Sequence, residues 1–315
     1  MKCTIPNNPQ AEEVLIGKYN FSSLITFLVS ESNDVFAYNI DTEISRPFGV
    51  IQTNFYSFGC ERVDNDLFVF GKEDMDSSDN SGEDKIFGID KFSLESRKTK
   101  FCYARSYPTN LYSCSAKVNN EIMVFGRNRK DYFDPPSNMT ILDIPSMKWR
   151  KGPSLPVNIS LQSSVVLNNS VYGIGGLSHA ALRYDLREGL WTTLPMSIIG
   201  LDYSAVCQYN NTDIMKAGGH MPIFNENLRV NFIEANNGCE IFDTRANSWR
   251  RTSNLPMPVH NAKCCQIKET VVLFGGKTEE EILQDIHAYN IAEETWTRND
   301  SELCNIEDLH SIHLI

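Results

Sequence analysis

The stretch SVVLNNSVYGIGGLSHAALRYDLREGLWTTLPM, residues 164–196, reads as four short β-strands and the turns that join them. The apolar runs around Val165 to Leu167 and Val171 to Ile174 flank Asn168-Asn169-Ser170, a turn signal that makes them a hairpin. Gly175-Gly176 then ends the second run, where glycine allows unusual dihedrals and close approach of a neighbouring backbone. The third strand holds Leu182 and Tyr184, and Asp185 is placed to cap the next turn through its side chain. Trp191 falls on a fourth, outer strand, where a large ring would pack between neighbouring units.

The same unit recurs along the chain. Asn39, Ser93, Asp143, Asp185, Asp243 and Asn290 each follow an apolar or aromatic residue, and after the last four a tryptophan stands six positions on, at Trp149, Trp191, Trp249 and Trp296. Upstream, apolar runs end in glycine at Gly71, Gly126, Gly175, Gly218 and Gly275. The anchors lie 54, 50, 42, 58 and 47 residues apart, the period of a four-stranded propeller blade rather than of a helical solenoid. The fifth copy reads IMKAGGH (214–220), Phe242-Asp243, Trp249 and Leu255-Pro256; the sixth reads VVLFGG (271–276), Tyr289-Asn290 and Trp296. The third has IMVFGR (122–127), Asp143, Trp149 and Leu155-Pro156. The first two are degenerate, with Ser45 and Thr99 at the tryptophan position.

This order of apolar run, glycine pair, Tyr-Asp, six-residue step, Trp and Leu-Pro resembles the kelch repeat, over roughly residues 20–300. The resemblance implies an all-β fold, a six-bladed β-propeller with four antiparallel strands per blade. The expected repeats are 13–51, 55–103, 110–155, 160–196, 201–256 and 260–298, in a single domain over 1–315. A propeller must close, because an open sheet edge invites aggregation. Either the tail LHSIHLI (309–315) or EVLIGKY (13–19) can complete the first blade. The likeness further implies a protein-binding module similar to the substrate-receptor half of kelch-like ubiquitin-ligase adaptors. No BTB, BACK or F-box-like module precedes the repeats, so a separate ligase or cytoskeletal subunit is the expected route to a complex. Actin or another cytoskeletal element is the rival partner. Kelch-type enzymes, such as sugar mutarotases and metal-dependent proteins, are the alternative class.

Charge and cysteine use narrow the partners. A formal net charge of -11 opposes general affinity for nucleic acid or anionic lipid. The first residues lack an apolar stretch of signal-peptide length, and no segment reaches the length of a membrane span. Nine cysteines are scattered without ligand or disulfide-framework spacing, which fits reduced thiols in a soluble cytoplasmic protein.

Recognition is expected where the repeats differ. The gap from glycine to anchor grows from 10 residues in the fourth repeat to 25 in the fifth, so variation concentrates between the second and third strands. Loops on a rigid scaffold commonly carry binding. The second repeat inserts an acidic segment with six carboxylates between Glu73 and Asp84, and the third inserts RNRKDYFDPPSN (127–138). The fifth inserts HMPIFNENLRVNFIEANNG (220–238), which reads equally well as a segment packed on its own blade or as an exposed apolar lip. The expected partner-binding residues are Tyr56, Tyr112, Tyr203 and His260 from the blade connections, with Arg127, His179, His220 and Lys277 from the loops, since aromatic and arginine anchors dominate interfaces. His179, His220 and His260 share the same predicted face, but no carboxylate or thiol partner has metal-ligand spacing. Glu281, Asp285 and His287 come closest to a ligand series on one loop, but DIHAYN (285–290) is the third-strand consensus. No catalytic residues, cofactor or metal are therefore expected.

Overall fold

The computed structural model describes residues 25–30, 33–52, 55–73, 87–102, 110–128, 138–157, 163–175, 179–225, 230–303 and 309–314. Among these residues the strands form six four-stranded antiparallel sheets, each a meander. Their innermost strands are Leu309–Leu314, Phe55–Val63, Asn110–Val118, Ser163–Leu167, Ala205–Gln208 and Lys263–Ile267. Each touches the next around a closed circuit, so the fold is a β-propeller with four-stranded blades.

The ring is closed by the C-terminal strand. Leu309–Leu314 pairs antiparallel with Ile25–Ser30, with Thr26 opposite Leu314 and Leu28 opposite Ile312. The other candidate, residues 13–19, lies outside the described residues.

The anchors act as turn caps in all six blades. Their side-chain oxygens accept backbone amides two or three residues on: Thr42 at Asn39, Ser96 at Ser93, Ser146 at Asp143, Arg187 at Asp185, Arg245 at Asp243 and Ala292 at Asn290. A short polar side chain that folds back on its own turn is what these positions select.

Packing between blades explains the tryptophans. Six apolar clusters each join residues of two successive blades. Trp149, Trp191, Trp249 and Trp296 pack against the clusters shared with the preceding blade. Each stands cross-strand from the residue before its anchor, as Tyr184 opposite Trp191 and Phe242 opposite Trp249. Two indoles also reach the preceding blade's exit: Trp249 Nε1 donates to Pro195 O at 2.9 Å and Trp296 Nε1 to Ser253 O at 3.1 Å. Where Thr99 replaces the tryptophan, the Arg97 guanidinium lies 4.5 Å over the Phe48 ring of the first blade and supplies a cation–π contact instead.

In an antiparallel meander, the hairpins joining strands one to two and three to four share one end of the propeller. The loops between strands two and three, and the links between blades, share the other. The fifth-repeat insertion lies at that second end. It extends the second and third strands into a two-stranded ribbon, Asp213–Asn225 against Val230–Asp243, with a register shift between Ala217 and Gly219. The innermost strand accompanies this ribbon only to Ala217 and the outermost only from Glu240. Beyond those residues the blade links border the ribbon instead, with Asp202 bonded to His220, and Val259 to Gly219 and Asn236.

Candidate functional site

The two glycine pairs at Gly218-Gly219 and Gly275-Gly276 sew the blade links onto the ends of the second strands. Gly219 has φ +119 and Gly276 φ +102. A Cβ on Gly219 would stand 2.8 Å from Asp202 O, and one on Gly276 would stand 2.7 Å from His260 O. That close approach allows Asp202 and His220 to exchange backbone hydrogen bonds at 3.0 and 2.8 Å, and His260 and Lys277 to do so at 2.9 and 2.7 Å. The two links are joined directly, because Asn261 N donates to Tyr203 O at 2.9 Å.

The result is a ladder of three rings. Tyr203 stacks on His220 with centroids 5.0 Å apart and planes at 26°, and His220 meets His260 edge to face at 5.1 Å. Both histidines are buried, whereas Tyr203 is 39% exposed and adopts φ 54. Burial lowers the His220 pKa below its ordinary value, against the opposing charge of Asp202, so the ring is neutral at neutral pH. Glu279 lies alongside: its carboxylate accepts the Ala235 amide, and that bond, with the charge of His260, holds its pKa low. Met196, Ile198, Met221, Ile233 and Ile282 are exposed at this same end. Rings already ordered by stacking lose little freedom when a partner covers them, so the arrangement is suited to binding.

Four of the eight expected partner-binding residues thus come together, namely Tyr203, His220, His260 and Lys277. His179 does not join them. Its Nδ1–H donates to Ser197 O at 2.8 Å, and its ring lies where a Cβ on Gly200 would stand. The backbones of Tyr56, Tyr112 and Arg127 lie in strands, with Tyr56 opposite Lys72 and Tyr112 opposite Arg127; their side chains lie outside the described residues. The acidic insertion at 74–86 and residues 129–137 also lie outside them. Among the described residues no group of three or more His, Cys, Asp or Glu is placed to hold a metal ion. No helix there is long and apolar enough to cross a membrane.

Sequence reading missed two polar features. Lys216 and Glu240 form a buried ion pair at 3.1 Å in the wall below the ladder. The central channel is the other, a cavity of about 550 Å³ bordered by Glu61, Ser115, Lys117, Ser164, Gln208, Gln266 and His313. Ser115 Oγ donates to Glu61 Oε1 at 2.6 Å, and Ser164 Oγ donates to Ser115 O. Burial pushes the Glu61 carboxyl up to about 7, against the lowering effects of Ser115 and Lys117. These residues were not legible because inward orientation depends on the strand's position in the ring.

The raised Glu61 pKa gives a pH prediction. The folded state holds this proton more tightly than the unfolded chain, so stability is greatest below the unfolded carboxylate pKa and falls as pH rises toward 7. Glu61→Gln removes this dependence. It is expected to raise unfolding free energy by about 1–2 kcal/mol at pH 8 and to leave it unchanged near pH 4. Urea melts at the two pH values check it, and equal effects at both would contradict it.

No protein-family model matches the chain. Among solved structures, that of YjhT superposes with a TM-score of 0.65 at 12% identity, covering 88% of this chain and 95% of that one. At this identity the likeness concerns the fold, a β-propeller.

Proposed function

We propose that the protein is a non-catalytic recognition module whose kelch-like, six-bladed propeller binds a protein partner at the end carrying Tyr203, His220, His260 and Lys277. The observation that carries the reading is the Tyr203–His220–His260 ring ladder at the end of the propeller where Met196, Ile198, Met221, Ile233 and Ile282 are also exposed. Exposed apolar side chains and an ordered aromatic anchor at one end of a scaffold are the usual makings of an interface. In the cell the module would serve as a substrate receptor or adaptor, coupled to a ubiquitin ligase through a separate subunit, or else as a cytoskeletal scaffold.

The test begins with affinity purification from the native cell, comparing the intact chain with Tyr203→Ala. A partner recovered with the intact chain alone is then purified and titrated. Tyr203→Ala is expected to weaken its binding by roughly 30-fold, about 2 kcal/mol. Unchanged affinity with Tyr203→Ala and with Lys277→Ala would overturn the reading.

A second reading rests on the channel, where Glu61, Ser115 and Ser164 form a connected polar wall. A small-molecule or enzymatic role there would respond to Glu61→Gln and be indifferent to Tyr203→Ala, the reverse of the pattern expected for partner binding.

A further inference from the structure

The seams between innermost strands place side chains at equivalent positions across the ring. The last pairs of three inner hairpins are Val63 with Asp66, Val118 with Glu121 and Ile267 with Thr270, and Tyr209 N donates to Asp213 O at the matching place in the fifth blade. Relative to these, Glu61 and Cys207 stand two residues before the turn, and Ser115 and Cys264 stand three before it. Glu61 reaches across its seam to Ser115 at 2.6 Å. Cys207 and Cys264 occupy the corresponding places across the seam between the fifth and sixth blades, whose inner strands lie in contact and whose two thiols meet the same apolar cluster.

The two thiols differ in setting. Cys207 is buried in the apolar cluster between the fifth and sixth blades. Cys264 packs against the same cluster but is only half-buried; both residues border the channel, and a solute there reaches the less buried Cys264 more readily. Cys265 faces the opposite way, into the cluster shared with the first blade, as adjacent strand residues must. The described cysteines are all free thiols.

We infer that Cys207 and Cys264 are a modification site, an oxidisable pair that hydrogen peroxide entering the channel converts to a disulfide joining the inner strands of the fifth and sixth blades. The Cys264 sulfur attacks the peroxide O–O bond, forming a sulfenic acid and releasing water. The Cys207 sulfur then attacks the Cys264 sulfur, and the sulfenic oxygen leaves as a second water. Two thiols and one peroxide give one disulfide and two waters, with two electrons passing from sulfur to oxygen. The order of attack follows from exposure: Cys207 is buried, and the neighbouring Cys264 thiol and burial hold its pKa far above the ordinary value, leaving the half-buried Cys264 sulfur to react first.

The bridge would sit just inside the ring ladder. The inner strands begin at Ala205 and Lys263, immediately after the links that carry Tyr203 and His260. A covalent tie there fixes the spacing of those two links, whatever partner they meet.

The test treats the full-length reduced protein with hydrogen peroxide, alkylates the remaining thiols and maps peptides without reduction. The expected product is a Cys207–Cys264 linked peptide, lighter by two hydrogens than its separated halves and lost on treatment with dithiothreitol. In Cys207→Ser, dimedone should trap a sulfenic acid on Cys264; in Cys264→Ser, no link should form at Cys207; in Cys265→Ser, the link should persist. Both thiols remaining fully alkylated in the wild-type protein, or Cys264 linking to Cys239 or Cys265 instead, would overturn the inference. The wild-type map decides the question even where a variant folds poorly.

Discussion

Glu240→Leu is expected to lower unfolding free energy by about 3–5 kcal/mol, the largest loss of any single substitution considered, because it strands a buried ammonium. Lys216 and Glu240 face each other across the second and third strands of the fifth blade, with side chains 3% and 1% exposed. Lys216 Nζ also donates to Ser197 Oγ at 3.1 Å and to Ile199 O at 2.5 Å. Glu240 Oε2 accepts the amides of Ile198 and Ile199 at 2.7 and 3.3 Å. The pair therefore holds the link between the fourth and fifth blades, a few residues before Tyr203. Burial lowers the Lys216 pKa, and Glu240 and then Asp202 oppose that shift, so removing the Glu240 carboxylate takes away the main compensation for desolvation.

Lys216→Met should be comparably damaging, since it leaves a buried carboxylate without a counter-ion. The double variant Lys216→Met/Glu240→Leu removes both charges at once and should cost at least about 2 kcal/mol less than the sum of the single losses. Urea unfolding of the four proteins closes the cycle. Additive losses, or a single-variant loss under about 1 kcal/mol, would mean that the pair is not desolvated as described.

The second large effect is expected at the glycine pairs. Gly219→Ala and Gly276→Ala should each cost about 2–4 kcal/mol, because an L side chain is strained at these dihedrals and its Cβ meets a backbone carbonyl. At Gly219 the added carbon would also lie 2.4 Å from Ser204 Oγ and 2.8 Å from Leu201 Cβ; at Gly276 it would lie 2.4 Å from Val259 Cγ2. None of these is the free end of a long side chain that could swing aside. The carbonyls in the way belong to Asp202 and His260, so both substitutions should also disturb the ring ladder and weaken partner binding together with stability. Thermal melts and titration of a purified partner would test the coupling. A variant that keeps wild-type stability would show that the close approach is not required.

Much of the architecture follows from local chemistry. Asn39, Ser93, Asp143, Asp185, Asp243 and Asn290 are small polar residues because their side chains cap the turns they begin. The tryptophan step of six reflects a fixed hairpin that brings Trp191 opposite Tyr184 and Trp296 opposite Tyr289. The glycine pairs could be read as places of backbone approach for the same reason, since no other residue tolerates those contacts. Half of the expected residues meet in the structure, and their spacing shows why: Tyr203 and His260 occupy matching places in successive repeats, and His220 and Lys277 follow matching glycine pairs.

What the pattern did not contain was anything that depends on which strands become neighbours across the ring. His179 follows a glycine pair as His220 does, yet it is held by Ser197 in its own blade's exit. Lys216 and Glu240 read as ordinary strand charges until their pairing buries them together. Cys207 and Cys264, 57 residues apart by subtraction, meet because their blades share a seam. The sequence by itself determined the blade, through turn caps, apolar alternation and glycine, all of which act within a few residues of chain. Closure by Leu309–Leu314, the polar channel wall and the meeting of Tyr203, His220 and His260 were decided by the tertiary structure, because they depend on the ring that brings distant blades together.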